Sequence, residues 1–156
     1  MNFEFFYGYY HPLSQWYRSE FFIENIRFTS AEQWMMYSKA KLFKDVDIAS
    51  KILETDDPGK IRSLGRQVRG FKDQVWTLER ESIVYTGNKE KFTQDTSLKS
   101  YLMSTGDSIL AEASPSDLIW GIGFGEKDPN RMDQKKWKGK NLLGEILMKV
   151  RAELKI

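Results

Sequence analysis

The stretch "TSAEQWMMYSKAKLF" at residues 29–43 places the tightest demand on any fold for this chain. Its apolar residues recur at helical spacing, with Met35, Met36 and Phe43 along one side of an amphipathic helix. Glu32 and Lys39 stand seven residues apart, two helical turns, and so share that side. A core-facing stripe that carries a carboxylate and an amine must be given water, partners or a use. Each charge has a local account. Thr29 can act as N-cap with Glu32 at the capping-box position three residues on. The Lys39 stem can cover apolar surface while its amine reaches solvent. Neither account explains why the two charges are aligned.

At 156 residues, the chain is long enough to bury a core of its own and is expected to form one domain over 1–156. It has no cysteine, which excludes disulfides, thiol nucleophiles, iron–sulfur clusters and Cys-based zinc sites. One histidine, His11 in "YYHPL", cannot build a multi-His metal site, and no G-x-S-x-G accompanies it. The 24 basic and 22 acidic residues nearly cancel, which weighs against a primary nucleic-acid binder. The opening "MNFEFFYGYY" does not read as a signal peptide, lacking a basic region before an apolar core, and no apolar run reaches membrane-spanning length. A cytoplasmic protein with no membrane partner is the default expectation. With 10 Phe, 7 Tyr and 5 Trp, the aromatic content suits a core and would also suit walls around a flat ligand.

Along the chain, "FEFFYGYY" reads as a strand and "FFIENIRF" as a hairpin turning at Glu24-Asn25, without the strong Asn-Gly signal. "DVDIASKILET" fits a short second helix. In "DDPGKIRSLGRQV", Asp57 can cap a third with Pro58 at its first position. "KDQVWTLERESIVYTGNKEKF" reads as a longer helix with Val75, Leu78, Ser82 and Tyr85 on one side, and "SLKSYLMS" as another ending before Gly106. "SILAEA" and "DLIWGIGFG" are short apolar segments, the second bounded by glycines and read as a strand. A polar loop, "EKDPNRMDQKKWKGK", leads to "NLLGEILMKVRAEL", whose Leu143, Ile146, Leu147 and Val150 form a helical stripe. Many helices around a few short strands make the expected class α+β, mainly helical.

Gly121, Gly123 and Gly125 lack the spacing of a dinucleotide fingerprint and mark a bulge, or a close approach to backbone that a ligand could make. "KKWKGKN" interleaves Lys135, Lys136, Lys138 and Lys140 with Trp137, either a phosphate-attracting patch with a stacking ring or a solvated loop. Asn141 stands where it can cap the last helix, whose N-terminal amides favour an anion. Arg66, Arg69 and Lys72 in "LGRQVRGFK" read equally well as exposed basic surface.

Taken in order, these segments resemble the NADAR family, named for NAD and ADP-ribose and known through bacterial N-glycosidases acting on riboflavin-pathway intermediates. "LSQWY" is similar to its early polar-aromatic loop, and "FTSAEQWMMYSKAKLF" to its threonine/serine-Glu-His-Tyr-Phe helix that ends in a lysine. "LGRQVRGFKDQVW" resembles its Gly-Arg segment with a following tryptophan. "KEKF", "LMSTGDSILAEASPSDLIWGIG" and "WKGKNLLGEILMKVR" complete a pattern that runs from about residue 3 to residue 154. The chain departs from many members in having Gln33-Trp34 where they carry His-Tyr, and in a longer loop between Gly125 and Trp137.

The resemblance implies an N-glycoside hydrolase that separates ribose C1 from a nitrogenous base, with Glu32, Lys39 and Asp117 as its catalytic residues. It also implies substrate contacts from Ser14, Trp16, Arg66, Trp76, Glu112, Trp120, Gly121, Trp137 and Asn141. No cofactor, metal or obligate protein partner is implied. The expected partner is a small ribosyl or ADP-ribosyl substrate, with an ADP-ribosylated nucleic acid as a further class. On this reading the aligned charges of the first helix face a substrate. Two routes stay open: carboxylate-assisted direct hydrolysis, and attack by a neutral Lys39 amine to form a Schiff base with the ring-opened sugar. The rival reading is a non-catalytic ADP-ribose-binding module, against which the trio of Glu32, Lys39 and Asp117 weighs.

Overall fold

The computed structural model describes residues 2–155. In chain order its elements are β1 (Phe3–Phe6), β2 (Phe21–Ile23), β3 (Ile26–Phe28), α1 (Ala31–Leu42), α2 (Val46–Leu53), α3 (Pro58–Gly65), α4 (Asp73–Gln94), α5 (Thr96–Ser104), β4 (Ile109–Glu112) and α6 (Leu142–Leu154). The class is α+β and mainly helical, as expected. Backbone contacts divide the chain into two compact units, one running from Arg18 to Gln94 and the other holding the chain before and after it.

In the Arg18–Gln94 unit, β2 and β3 form the expected antiparallel hairpin with Phe21 opposite Phe28. Its two turn residues, Glu24 and Asn25, both take left-handed φ, 51° and 67°, which suits the twist of the strands. The Phe21 and Phe28 rings lie stacked at 5.9 Å and are fully buried. Helix α1 packs against α2, α3 and α4. Close approach is secured by two glycines: a Cβ on Gly87 of α4 would strike the Trp34 ring, and one on Gly65 of α3 would strike the Met36 side chain. Trp34 is fixed further by its Nε1, which donates to the Ile83 carbonyl at 2.8 Å.

The start of α1 differs from the sequence expectation by one residue. Ser30 is the N-cap, its Oγ accepting from the Gln33 N–H at 3.1 Å, while Gln33 Oε1 reaches back to the Thr29 N–H at 2.7 Å. The box is therefore Ser30 with Gln33, not Thr29 with Glu32. An amide explains the choice. Gln33 Nε2 also donates to the carbonyls of Ile52 and Thr55 at the end of α2, at 3.0 and 2.9 Å, which a carboxylate could not do.

Helix α4 buries a different side from the one marked by Val75 and Leu78, which are 37% and 82% exposed. Its inward stripe is Trp76, Arg80, Val84, Gly87, Asn88, Lys91 and Phe92. Three polar members hide this face from a search for apolar periodicity.

In the other unit, β1 and β4 pair in parallel from Phe3↔Ile109 to Phe6↔Glu112. Helix α6 lies against β4 with the expected stripe of Leu143, Ile146, Leu147 and Val150 buried. "DLIWGIGFG" is not a strand. Asp117 curls it into a turn, and its carbonyls accept from the segment that enters α6: Asn141 N to Gly121 O at 3.0 Å and Leu143 N to Trp120 O at 3.2 Å. The polar loop holds two short 3-10 turns, Pro129–Met132 and Gln134–Lys136. Among the described residues no helix is long and apolar enough to cross a membrane.

Candidate active site

Helix α1 presents both residues that made its sequence unusual. Glu32 sits in the first turn and is 7% exposed, although the cap belongs to Ser30 and Gln33. Lys39, two turns on, is half-buried, with its Nζ 4.7 Å from the centroid of Phe71 and 5.7 Å from that of Trp76. Trp76 occupies the first turn of α4 and is 8% exposed. Arg66 is the C-cap of α3 and lies at the surface. Burial holds the Lys39 ammonium below the ordinary lysine range; Glu32 pulls it back up and Arg66 pushes it down. Three of the expected residues, Glu32, Arg66 and Trp76, thus act on a fourth, Lys39, within a single unit. Together they are a carboxylate, an amine drawn toward neutrality, a guanidinium suited to phosphate and an aromatic wall.

Sequence reasoning missed the polar residues buried on α4. Arg80 is 7% exposed, and Asn88 and Lys91 not at all. Burial pushes the Lys91 amine down to about 7, and its Nζ lies 4.9 Å from the Phe92 centroid. The available signal was the spacing Val84, Asn88, Lys91, a helical i, i+4, i+7 row in which two members are polar. Arg69, read as exposed basic surface, is exposed, and it is also bound to Asp45 and Asp47, each at 2.8 Å.

The remaining expected residues lie in the other unit. Ser14 is buried, and its Oγ accepts from the Trp16 N–H at 3.1 Å. The Trp16 ring lies 5.0 Å from Tyr9. At the end of β4, the Glu112 N–H donates to Asn141 Oδ1 at 3.1 Å, and Asn141 Nδ2 donates to the Leu110 carbonyl at 2.9 Å. Asn141 therefore stitches β4 to the start of α6 and makes no side-chain cap, contrary to expectation. Asp117 Oδ1 accepts from the N–H groups of Ile119 and Trp120 at 3.0 and 2.9 Å, so one carboxylate oxygen shapes the turn that carries Trp120 and Gly121. A Cβ on Gly121 would lie 3.0 Å from the Asp117 carbonyl and 3.1 Å from that of Glu112; the close approach here is the chain's own. Trp137 is partly buried. Its Nε1 donates to the Arg131 carbonyl at 2.7 Å and its ring packs near Phe3 and beside buried Ala111, Ile122 and Phe124. Among the described residues no three His, Cys, Asp or Glu side chains are grouped to hold a metal.

A family model described as the NADAR domain matches residues 5–155. The chain is 43% identical over 148 residues to an N-glycosidase of Acanthamoeba polyphaga mimivirus, covering 92% of this chain and 87% of that protein. It is 35% identical over 118 residues to a riboflavin biosynthesis protein of Vibrio vulnificus, covering 76% of this chain but only 29% of that protein. Among solved structures, that of the Escherichia coli protein YbiA superposes with a TM-score of 0.80 at 22% identity, over 98% of this chain and 84% of that one, a likeness of fold.

Proposed function

The chain belongs to the NADAR domain family, and from that premise we propose that it is an N-glycoside hydrolase acting through Lys39 and Glu32. The observation that carries the reading is the setting of Lys39: a half-buried amine near the Phe71 and Trp76 rings, coupled electrostatically to Glu32 and Arg66, and held below its ordinary pKa chiefly by burial. A neutral amine is the form that attacks carbon. Lys39 adds across the C1=N bond of the ring-opened, protonated imine of the substrate: the Lys39 N–C1 bond forms as the C=N π pair moves onto the base nitrogen. The bond from C1 to the base nitrogen then breaks as the Glu32 carboxylate relays a proton from the Lys39 nitrogen to the leaving base, and the protonated Lys39 imine remains. Water next adds to the protonated Lys39 imine, releasing the sugar aldehyde and restoring the amine. Arg66 holds phosphate on the sugar side, and Trp76 walls the reacting carbon.

The substrates proposed are an ADP-ribosylated guanine or a riboflavin-pathway ribosylamino-pyrimidine phosphate. Relatives named N-glycosidase and riboflavin biosynthesis protein support that choice of class. Asp117 is left out of the proton transfers, because its Oδ1 is engaged by two backbone N–H groups. The test incubates the protein with ADP-ribosyl-guanosine and with the ribosylamino-pyrimidine phosphates, and follows released base and sugar by mass spectrometry. Release from either supports the assignment and names the substrate; release from neither overturns it.

A further inference from the structure

The loop between α3 and α4 is tied down more firmly than its exposure would require. The Arg69 backbone N–H donates to Asp45 Oδ2 at 2.8 Å, Nε donates to the same oxygen at 3.2 Å, and Nη2 reaches Asp45 Oδ1 at 2.8 Å. A second bond from Nη2 goes to Asp47 Oδ2 at 2.8 Å. The Asp45 side chain is wholly buried, and its hydrogen bonds with Arg69 hold its carboxyl well below the usual carboxylate range. Asp45 is also the N-cap of α2, accepting from the Ile48 N–H, so the loop is anchored to a helix end. Gly70 then turns the chain with φ +75°, a conformation that glycine adopts without strain.

The next residue is Phe71. Its ring lies 4.7 Å from Lys39 Nζ and 5.3 Å from the Phe43 ring, yet the residue is 41% exposed. The Phe71 ring thus stays partly open beside the amine, whereas Trp76, 5.7 Å from the same Nζ, is almost fully covered. The anchored loop therefore sets an aromatic face against the one amine assigned to chemistry.

We propose that Phe71 is a positioning residue for Lys39, its ring, fixed through the Asp45–Arg69 clamp, orienting the amine and stabilising the positive charge that nitrogen acquires as it bonds to C1. The inference rests on the covalent reading of Lys39 above. When the neutral amine attacks, its lone pair becomes the new N–C1 bond and the nitrogen turns cationic. The charge remains in the protonated imine until water adds. The negative face of a ring beside that nitrogen favours the charged states over the neutral reactant.

The test compares wild type with Phe71→Leu, which keeps apolar cover but removes the ring, and Phe71→Tyr, which keeps the ring. Adduct formation is read by borohydride trapping during turnover, alongside kcat, KM and melting temperature. Phe71→Leu is expected to slow adduct formation and kcat by about three- to thirty-fold, the range cation–π attraction spans, with KM little changed. Phe71→Tyr is expected to restore the wild-type rate. Adduct formation at the wild-type rate in Phe71→Leu overturns the proposal while leaving Lys39 as nucleophile. Equal slowing in Leu and Tyr variants with a lowered melting temperature overturns it in favour of plain packing. Wild-type protein that releases base without any adduct overturns the covalent reading itself, and this inference with it.

Discussion

Replacing Gln33 by leucine removes one side chain and breaks several bonds at once. Gln33 is 1% exposed, and its amide serves the Thr29 N–H, the Thr29 hydroxyl and the carbonyls of Ile52 and Thr55. Leucine would fill the space but leave the buried Thr29 N–H and hydroxyl without their acceptor, each costing about 1–3 kcal/mol, while the Ile52 carbonyl keeps the backbone N–H groups that follow it. The Thr55 carbonyl is partly exposed and can turn to water. Apolar transfer of the new side chain returns about 1–2 kcal/mol. The net expectation is destabilisation of about 1–4 kcal/mol, which for a chain of this size lowers Tm by roughly 3–12 °C. Urea unfolding followed by tryptophan fluorescence measures it, with the slope m checked for constancy. Gln33→Glu should be no better, because a carboxylate would face two carbonyls. A loss below about 0.5 kcal/mol in Gln33→Leu, the range of an ordinary surface change, would refute the account of how α1 is held to α2.

Glu32→Gln should leave the fold intact, since the cap belongs to Ser30 and Gln33, and should lower kcat by about 10²–10⁴, the usual worth of a general acid–base group. Near-normal turnover in that variant would remove Glu32 from the mechanism. Asp117→Asn retains an acceptor for the Ile119 and Trp120 N–H groups, whereas Asp117→Ala does not, so only the alanine variant should lose stability, by about 0.5–2 kcal/mol. Equal collapse of kcat in both variants, with stability unchanged, would return Asp117 to the proton transfers. Lys91 gives a pH signature. Burial sets its folded pKa at about 7, below the ordinary 10.5, so the native state sheds the proton first and unfolding takes one up between those values. Stability relative to a Lys91→Met variant should therefore rise from pH 7 toward pH 10, and urea midpoints that run parallel across this window would contradict the burial of a titrating amine.

Elements whose inward face is wholly apolar were legible in the sequence. The α6 stripe lies where its spacing puts it, and Asp57 and Pro58 open α3 as their chemistry predicts. The helical pair Glu32 and Lys39 was equally legible, because a charge on an apolar stripe is visible against its neighbours. What escaped reading was decided by partners distant in sequence. Ser30 prevailed over Thr29 because Gln33 could also bind α2, more than a dozen residues on. The apolar run 118–122 gave up strand pairing because Asp117 captured its first amides and the segment entering α6 took its carbonyls. Arg80, Asn88 and Lys91 were passed over because buried polar side chains do not register in a hydrophobic pattern.

The measurement that bears most directly on the central claim is borohydride trapping at Lys39 during turnover of a cleaved ribosylated substrate, followed by peptide mapping. Reduction fixes an imine as a stable amine, so a covalent route leaves the sugar on the peptide that contains Lys39. Run in parallel, Lys39→Arg should be inactive and unlabelled, because arginine keeps the positive charge but supplies no neutral amine. A ribosylated Lys39 peptide in the wild type and a silent arginine variant are the predicted result. An arginine variant that releases base at a substantial rate, with no adduct in either protein, would contradict the account.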